Sequence, residues 1–154
     1  MNYEDLLIEA ANEGIIVKEK SLQSSDGRIN GKRIAIRKDI PTQAQKADVL
    51  AEELGHYYTT AGRIVEGESV TERKKERTSR LYAYNKRIGL SGIIQGYRKH
   101  CHNLYELAQE LGVSEPFLAE ALQCYREIYA PYVKIDDYII VFEPYFAVIE
   151  RIGY

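Results

Sequence analysis

Apolar residues Leu6, Leu7, Ala10 and Ala11 recur at helical spacing across residues 3–13 and give way to Gly14, so the chain is expected to open with a short helix. The β-branched triplet Ile15-Ile16-Val17 predicts a strand directly after it. Ser24-Ser25-Asp26-Gly27 marks a turn, and the hairpin dipeptide Asn30-Gly31 should join a short strand around Arg28-Ile29 to another over residues 32–37. So small a sheet cannot bury both faces alone, and its apolar side is expected against the helix that follows. That helix starts after Pro41, with Thr42 as cap and Gln45 three residues later, the spacing of a capping box. Its apolar face holds Val49, Leu50, Ala51 and Leu54, while Glu52, Glu53 and His56 form the adjoining stripe.

Gly62 and Gly67 flank an expected loop, and residues 73–84 read as a second helix. Its basic residues Arg73, Lys74, Lys75, Arg77 and Arg80 are interrupted or preceded by Glu66, Glu68, Glu72 and Glu76, which predicts a salt-laced face rather than a nucleic-acid patch. Gly89, Gly92 and Gly96 predict a bend-rich connector over residues 88–96, and the domain boundary is placed there: an N-terminal unit over 1–92 and a C-terminal unit over 93–154. In the second unit, residues 103–111, Gly112, Ser114 and a helical stretch over residues 115–129 resemble a helix-turn-helix pair. Residues 132–135 and 138–142 read as a hairpin around Asp136-Asp137, with a further extended piece over 146–149. The expected class is α+β and mainly helical, with a small N-terminal sheet on one helix and a helix-turn-helix-like pair followed by a β-hairpin.

With 154 residues the chain can bury one core, and 45% hydrophobic with 29% charged residues describes a globular composition. A net charge of -2 offers no general attraction to nucleic acid or an anionic membrane. No stretch reads as a signal peptide or a membrane span, so the expected location is the cytoplasm. Cys101 and Cys124 are too few and too far apart for a thiolate metal site. His100 and His102 point in different directions on a helix, so structural or surface roles are expected of them.

The pentapeptide Glu52-Glu53-Leu54-Gly55-His56 differs from the zinc-peptidase signature His-Glu-x-x-His only at its first residue. Residues four apart lie above one another on a helix, so Glu52 and His56 can close on one ion. Glu53, one position round, can take a proton from the water that the ion activates. Catalytic zinc usually has three protein ligands, and the next helix offers Glu72 and Glu76. Glu76 is favoured because it shares a surface with Ser79, Leu81, Tyr82 and Ala83 that can turn towards the first helix. Taken alone, the pentapeptide also reads as a solvated helix face with a packed histidine. The sequence holds 13 tyrosines, and Tyr57, Tyr58, Tyr82 and Tyr84 fall near this region, although spacing selects none of them as an oxyanion donor.

The run Arg33-Ile34-Ala35-Ile36 followed by residues 47–60 resembles the ImmA/IrrE family of small metallopeptidases of bacteria, phages and mobile elements. The family pattern Glu-x-x-Ala-x-x-aromatic-Ala is matched by Glu76-Arg77-Thr78-Ser79-Arg80-Leu81-Tyr82-Ala83, with serine for the first alanine, and the resemblance continues through the Glu-Leu-Ala-x-x-Leu-Gly-Val-Ser segment and the terminal aromatic strands. It implies a zincin-like active-site helix, metal ligands at Glu52, His56 and Glu76, and Glu53 as general base. Glutamate for the first histidine makes the ligand set richer in carboxylate, which suits manganese as well as zinc. The implied activity is cleavage of a helix-turn-helix repressor. Two other readings stand beside it: a repressor binder without peptidase activity, and a DNA-binding regulator, although Glu115, Glu120 and Glu127 oppose a single Arg126 on the would-be reading helix.

Overall fold

Asn2 and Asp5 close a reciprocal capping box at the start of α1 (Tyr3–Asn12), which buries Tyr3, Leu6 and Ala10. The structure, a computed structural model, describes residues 1–60 and 72–152. The loop expected between Gly62 and Gly67, with Glu66 and Glu68, lies outside the described residues.

Three short strands follow, β1 (Ile16–Lys20), β2 (Gly27–Asn30) and β3 (Arg33–Arg37). The predicted strand at residues 15–17 is displaced towards the C-terminus, since Ile15 is buried ahead of β1. The hairpin is present, but its two-residue loop is Gly31-Lys32 rather than Asn30-Gly31, because Asn30 pairs with Arg33. Gly31 takes φ +59° at the first loop position, where a side chain would be strained. The sheet order is β1-β3-β2, with β3 parallel to β1 and antiparallel to β2. Ile34 and Ile36 of the central strand are buried, and β2 and β3 both pack on α2 (Gln43–Thr60).

Thr42 caps α2 as its sequence predicts: its hydroxyl oxygen accepts from the Gln45 N–H at 3.1 Å, while the hydroxyl and the Gln45 amide oxygen lie 3.1 Å apart. Helix α3 (Glu72–Arg87) packs closely along α2, and α4 (Gly89–Arg98) follows after Ile88. The bend-rich connector expected over residues 88–96 is therefore a helix, and residues 92 and 93 both lie inside it. Gly89 does bend the chain, taking φ +65° where α3 gives way to α4, but Gly92 and Gly96 serve packing. A Cβ on Gly96 would stand 2.2 Å from Leu107 Cδ1, and one on Gly92 would touch Leu111 at 3.4 Å.

Helices α5 (Leu104–Leu111) and α6 (Glu115–Tyr129) are joined through Gly112 at φ +67° and Ser114, whose hydroxyl caps α6 by accepting from the Phe117 N–H at 3.2 Å. Strands β4 (Tyr132–Ile135), β5 (Tyr138–Val141) and β6 (Ala147–Glu150) form a second, antiparallel sheet with β5 in the middle. The extended piece expected near residues 146–149 thus completes a three-stranded sheet. Architecture and class are α+β: a small N-terminal sheet, a mostly helical middle and a C-terminal antiparallel sheet. Among the described residues no helix is long and apolar enough to cross a membrane.

Candidate active site between two packed helices

Helices α2 and α3 run antiparallel, as their contacts show: Asp48 meets Arg87, Gly55 meets Ser79, and His56 meets Glu76. Gly55 allows this approach, because a Cβ there would lie 2.4 Å from the Ser79 carbonyl oxygen. The buried Ser79 satisfies its own hydroxyl locally, donating to the Lys75 carbonyl at 2.9 Å and lying 3.2 Å from the Thr59 hydroxyl. The clash in Gly55→Ala is with backbone, so the helices must part. That substitution should destabilise the protein by about 1–3 kcal/mol, measured by urea unfolding. An unchanged midpoint would mean that the two helices separate at no cost.

Of the four predicted site residues, His56 and Glu76 meet across this seam. His56 Nε2 stands 3.6 Å from Glu76 Oε2, and Arg80, one turn after Glu76, places its Nε 3.5 Å from Glu76 Oε1. Glu52 and Glu53 are partly buried. Glu53 lies beneath the edge strand β2: a Cβ on Gly27 would stand 2.9 Å from Glu53 Oε1 and 2.7 Å from Val49 Cγ1. On the other side, α6 contributes Glu120, whose Oε2 accepts from the Tyr84 hydroxyl at 3.2 Å.

Burial pushes the Glu52 carboxyl up to about 7, opposed by the charge of Arg80 and reinforced by Glu120, Glu76 and Asp48. Glu53 is likewise raised to about 7, by burial first and then by Glu52 and Glu76. Both values lie above the ordinary 4.5, so folding favours the protonated forms. Their stabilising contribution is complete below about pH 4.5 and is lost as the pH rises through about 7. In the presence of a chelator, the urea midpoint should therefore be lower at pH 8 than at pH 5.5. A midpoint that rises over this interval would contradict the assignment of buried, mutually repelling carboxylates.

The donor chemistry fits a divalent ion: carboxylate oxygens and one imidazole nitrogen stand where negative charge is penalised, and a cation would offset that penalty. The placement fits in part. His56 and Glu76 come together, but among the described residues no group of three or more His, Cys, Asp or Glu side chains is arranged to hold an ion. Glu72, the rejected alternative, is exposed and stands 3.6 Å from Lys75. His100 is exposed at φ +59° after α4. His102 lines a separate cavity of about 590 Å3 with Leu107, Leu122, Arg126, Phe142 and Phe146; no residue of α2 or α3 lines it.

Sequence reasoning placed Tyr84 near this region without a role, and missed Asp48, Arg80 and Glu120 as parts of it. A signal existed for Asp48 and Arg80. Asp48, Glu52 and His56 share one stripe of α2 at four-residue spacing, as do Glu76, Arg80 and Tyr84 on α3. Glu120 had none, since only the tertiary fold brings α6 to α3. Comparison of the chain with protein-family models, with curated proteins and with solved structures gave no match.

Proposed function

We propose that the chain is a metal-dependent endopeptidase with a zincin-like helix in α2, acting in the cytoplasm on a helix-turn-helix repressor of a phage or mobile element. The observation that carries this reading is the meeting of His56 and Glu76 across α2 and α3, with Glu53 one turn away beneath an edge strand. Glu52, His56 and Glu76 would hold the ion, zinc or manganese. When bound, that ion would supply Lewis acidity and make water acidic enough to lose a proton near neutral pH.

The chain's own residues account for the rest. Glu53 would accept that proton on a carboxylate oxygen and return it to the leaving amine, and a pKa of about 7 would suit both transfers at neutral pH. Among the described residues strand β2 pairs only with β3, so its other edge can offer main-chain hydrogen bonds to an extended peptide laid beside α2. Gly27 and Ile29 would lie along that peptide, and the side chain of Glu53 reaches Gly27 from below.

A second reading, a repressor binder without peptidase activity, is favoured by the lack of a three-ligand group among the described residues. Direct DNA binding receives less support. The α5 and α6 pair is joined by a short turn, but α6 buries Phe117, Leu118, Ala121 and Tyr125 in the core, and its Arg126 is held by Glu143 at 3.1 Å. Incubating the protein with the repressor encoded beside it, in zinc or manganese, should yield one discrete cut. An intact repressor that still forms a stable complex with the chain would select the second reading.

A further inference from the structure

Helices α4, α5 and α6 and the connection from β5 to β6 enclose the cavity of about 590 Å3, a volume within the range of sites that take small molecules. Its floor is apolar: Ile93 and Leu107 are buried, and so is Phe142, whose ring lies 5.8 Å from that of Phe146 at a tilt of 53°. Tyr97, Tyr145 and Phe146 line the same cavity and remain exposed, so its mouth is edged by aromatic rings that face water. A bound apolar body would remove that surface from solvent.

The polar groups at the cavity carry one sign of charge. Arg126 and His102 line it, and none of its lining residues is acidic. Arg126 Nε donates to Glu143 Oε1 at 3.1 Å, which leaves both Nη groups without a partner among the described residues, and the His102 imidazole has none there either.

We propose that this cavity binds a small aromatic carboxylate, with its rings against Phe142, Phe146 and Tyr97 and its carboxylate on the free end of the Arg126 guanidinium. The two Nη groups of a planar guanidinium can donate in parallel to one carboxylate while Nε keeps its bond to Glu143. His102 is a further donor at the same opening. A flat ring system gains edge-to-face and offset contacts with the tilted rings of the walls, whereas a flexible alkyl chain would be immobilised without them. No residue of α2 or α3 lines the cavity, so the site stands apart from the proposed metal chemistry.

Calorimetric titration of the full chain with naphthylacetate tests this, and one site with a Kd of about 10–300 µM is expected. Naphthylethanol, the neutral alcohol with the same rings, should bind about five- to twentyfold more weakly, and decanoate, an acid without rings, should also bind more weakly. Arg126→Gln should weaken naphthylacetate by about the same five- to twentyfold and leave naphthylethanol unchanged. Ala119 lines the cavity from an exposed position on α6, so Ala119→Trp can fill the space without disturbing the core and should abolish binding of both compounds. No binding of naphthylacetate at about 1 mM, or unchanged binding in Ala119→Trp, would overturn the proposal. Equal loss of acid and alcohol in Arg126→Gln would overturn the contact with Arg126, and decanoate binding as tightly as naphthylacetate would overturn the aromatic class. A chain that sediments as a dimer and takes up the acid only on dilution to monomer would overturn it in favour of a second copy covering the cavity.

Discussion

Replacing Arg87 with methionine should cost the fold about 3–5 kcal/mol, a large share of the roughly 5–15 kcal/mol that holds a domain of this size together. Arg87 and Asp48 are buried, and the guanidinium reaches Asp48 Oδ1 through Nη2 at 3.1 Å and through Nε at 3.3 Å. The same group donates to the carbonyls of Met1, Ala44 and Gly112, while Asp48 Oδ2 accepts from the Ser114 N–H at 3.2 Å. One pair thus ties the start of the chain, α2, α3 and the turn between α5 and α6. Burial pushes the Asp48 carboxyl up and the Arg87 guanidinium down, and each charge offsets the penalty on the other.

Methionine fills the volume but leaves a buried carboxylate and three carbonyls without their donor. The loss in Arg87→Met should shrink as pH falls, because the stranded carboxyl has its pKa raised further and protonates within the fold. Urea unfolding of both proteins at pH 7 and pH 5 measures this. A loss below about 1 kcal/mol at pH 7 would place the pair among ordinary surface bridges.

What could be read from sequence was what local chemistry decides. Thr42 with Gln45, Ser114 before α6, and Gly112 closing α5 state their helix ends in a few residues, and the structure has each of them. The parallel pairing of β1 with β3 was not legible, because nothing in Ile16-Val17 names a partner beyond an intervening strand. Gly92 and Gly96 misled for a related reason: a glycine that lets Leu107 approach and a glycine that breaks a helix, as Gly89 does between α3 and α4, are the same letter. The partner of Asp48 lies 39 residues away, so no local pattern names it.

At the site, helix spacing puts Glu52 and His56 on one stripe of α2, and the structure brings Glu76 of α3 to His56. Whether those side chains turn towards one another depends on neighbours from other elements. Arg80 takes one oxygen of Glu76, Glu120 adds negative charge from α6, and β2 covers Glu53. A pattern along one helix cannot hold that information.

For the proposed repressor cleavage, Glu53→Gln should lower kcat by about 100- to 10,000-fold while leaving KM close to wild type. Glutamine matches the carboxylate in volume, so the packing of residue 53 beneath Gly27 and the edge of β2 proposed to bind peptide should survive, and only the proposed proton acceptor is lost. In the wild type, a base must be deprotonated to act, so kcat should climb as the pH rises through about 7. The residual activity of Glu53→Gln should lack that rise. The neighbouring Glu52 raises the Glu53 pKa by charge repulsion, so the climb reports the coupled pair rather than one carboxyl. Metal content after dialysis separates the base from the ligands: Glu53→Gln should retain the wild-type amount, whereas His56→Ala and Glu76→Gln should lose it. Full activity in Glu53→Gln would remove this residue from proton transfer, and equal metal content across all three variants would remove His56 and Glu76 from the site.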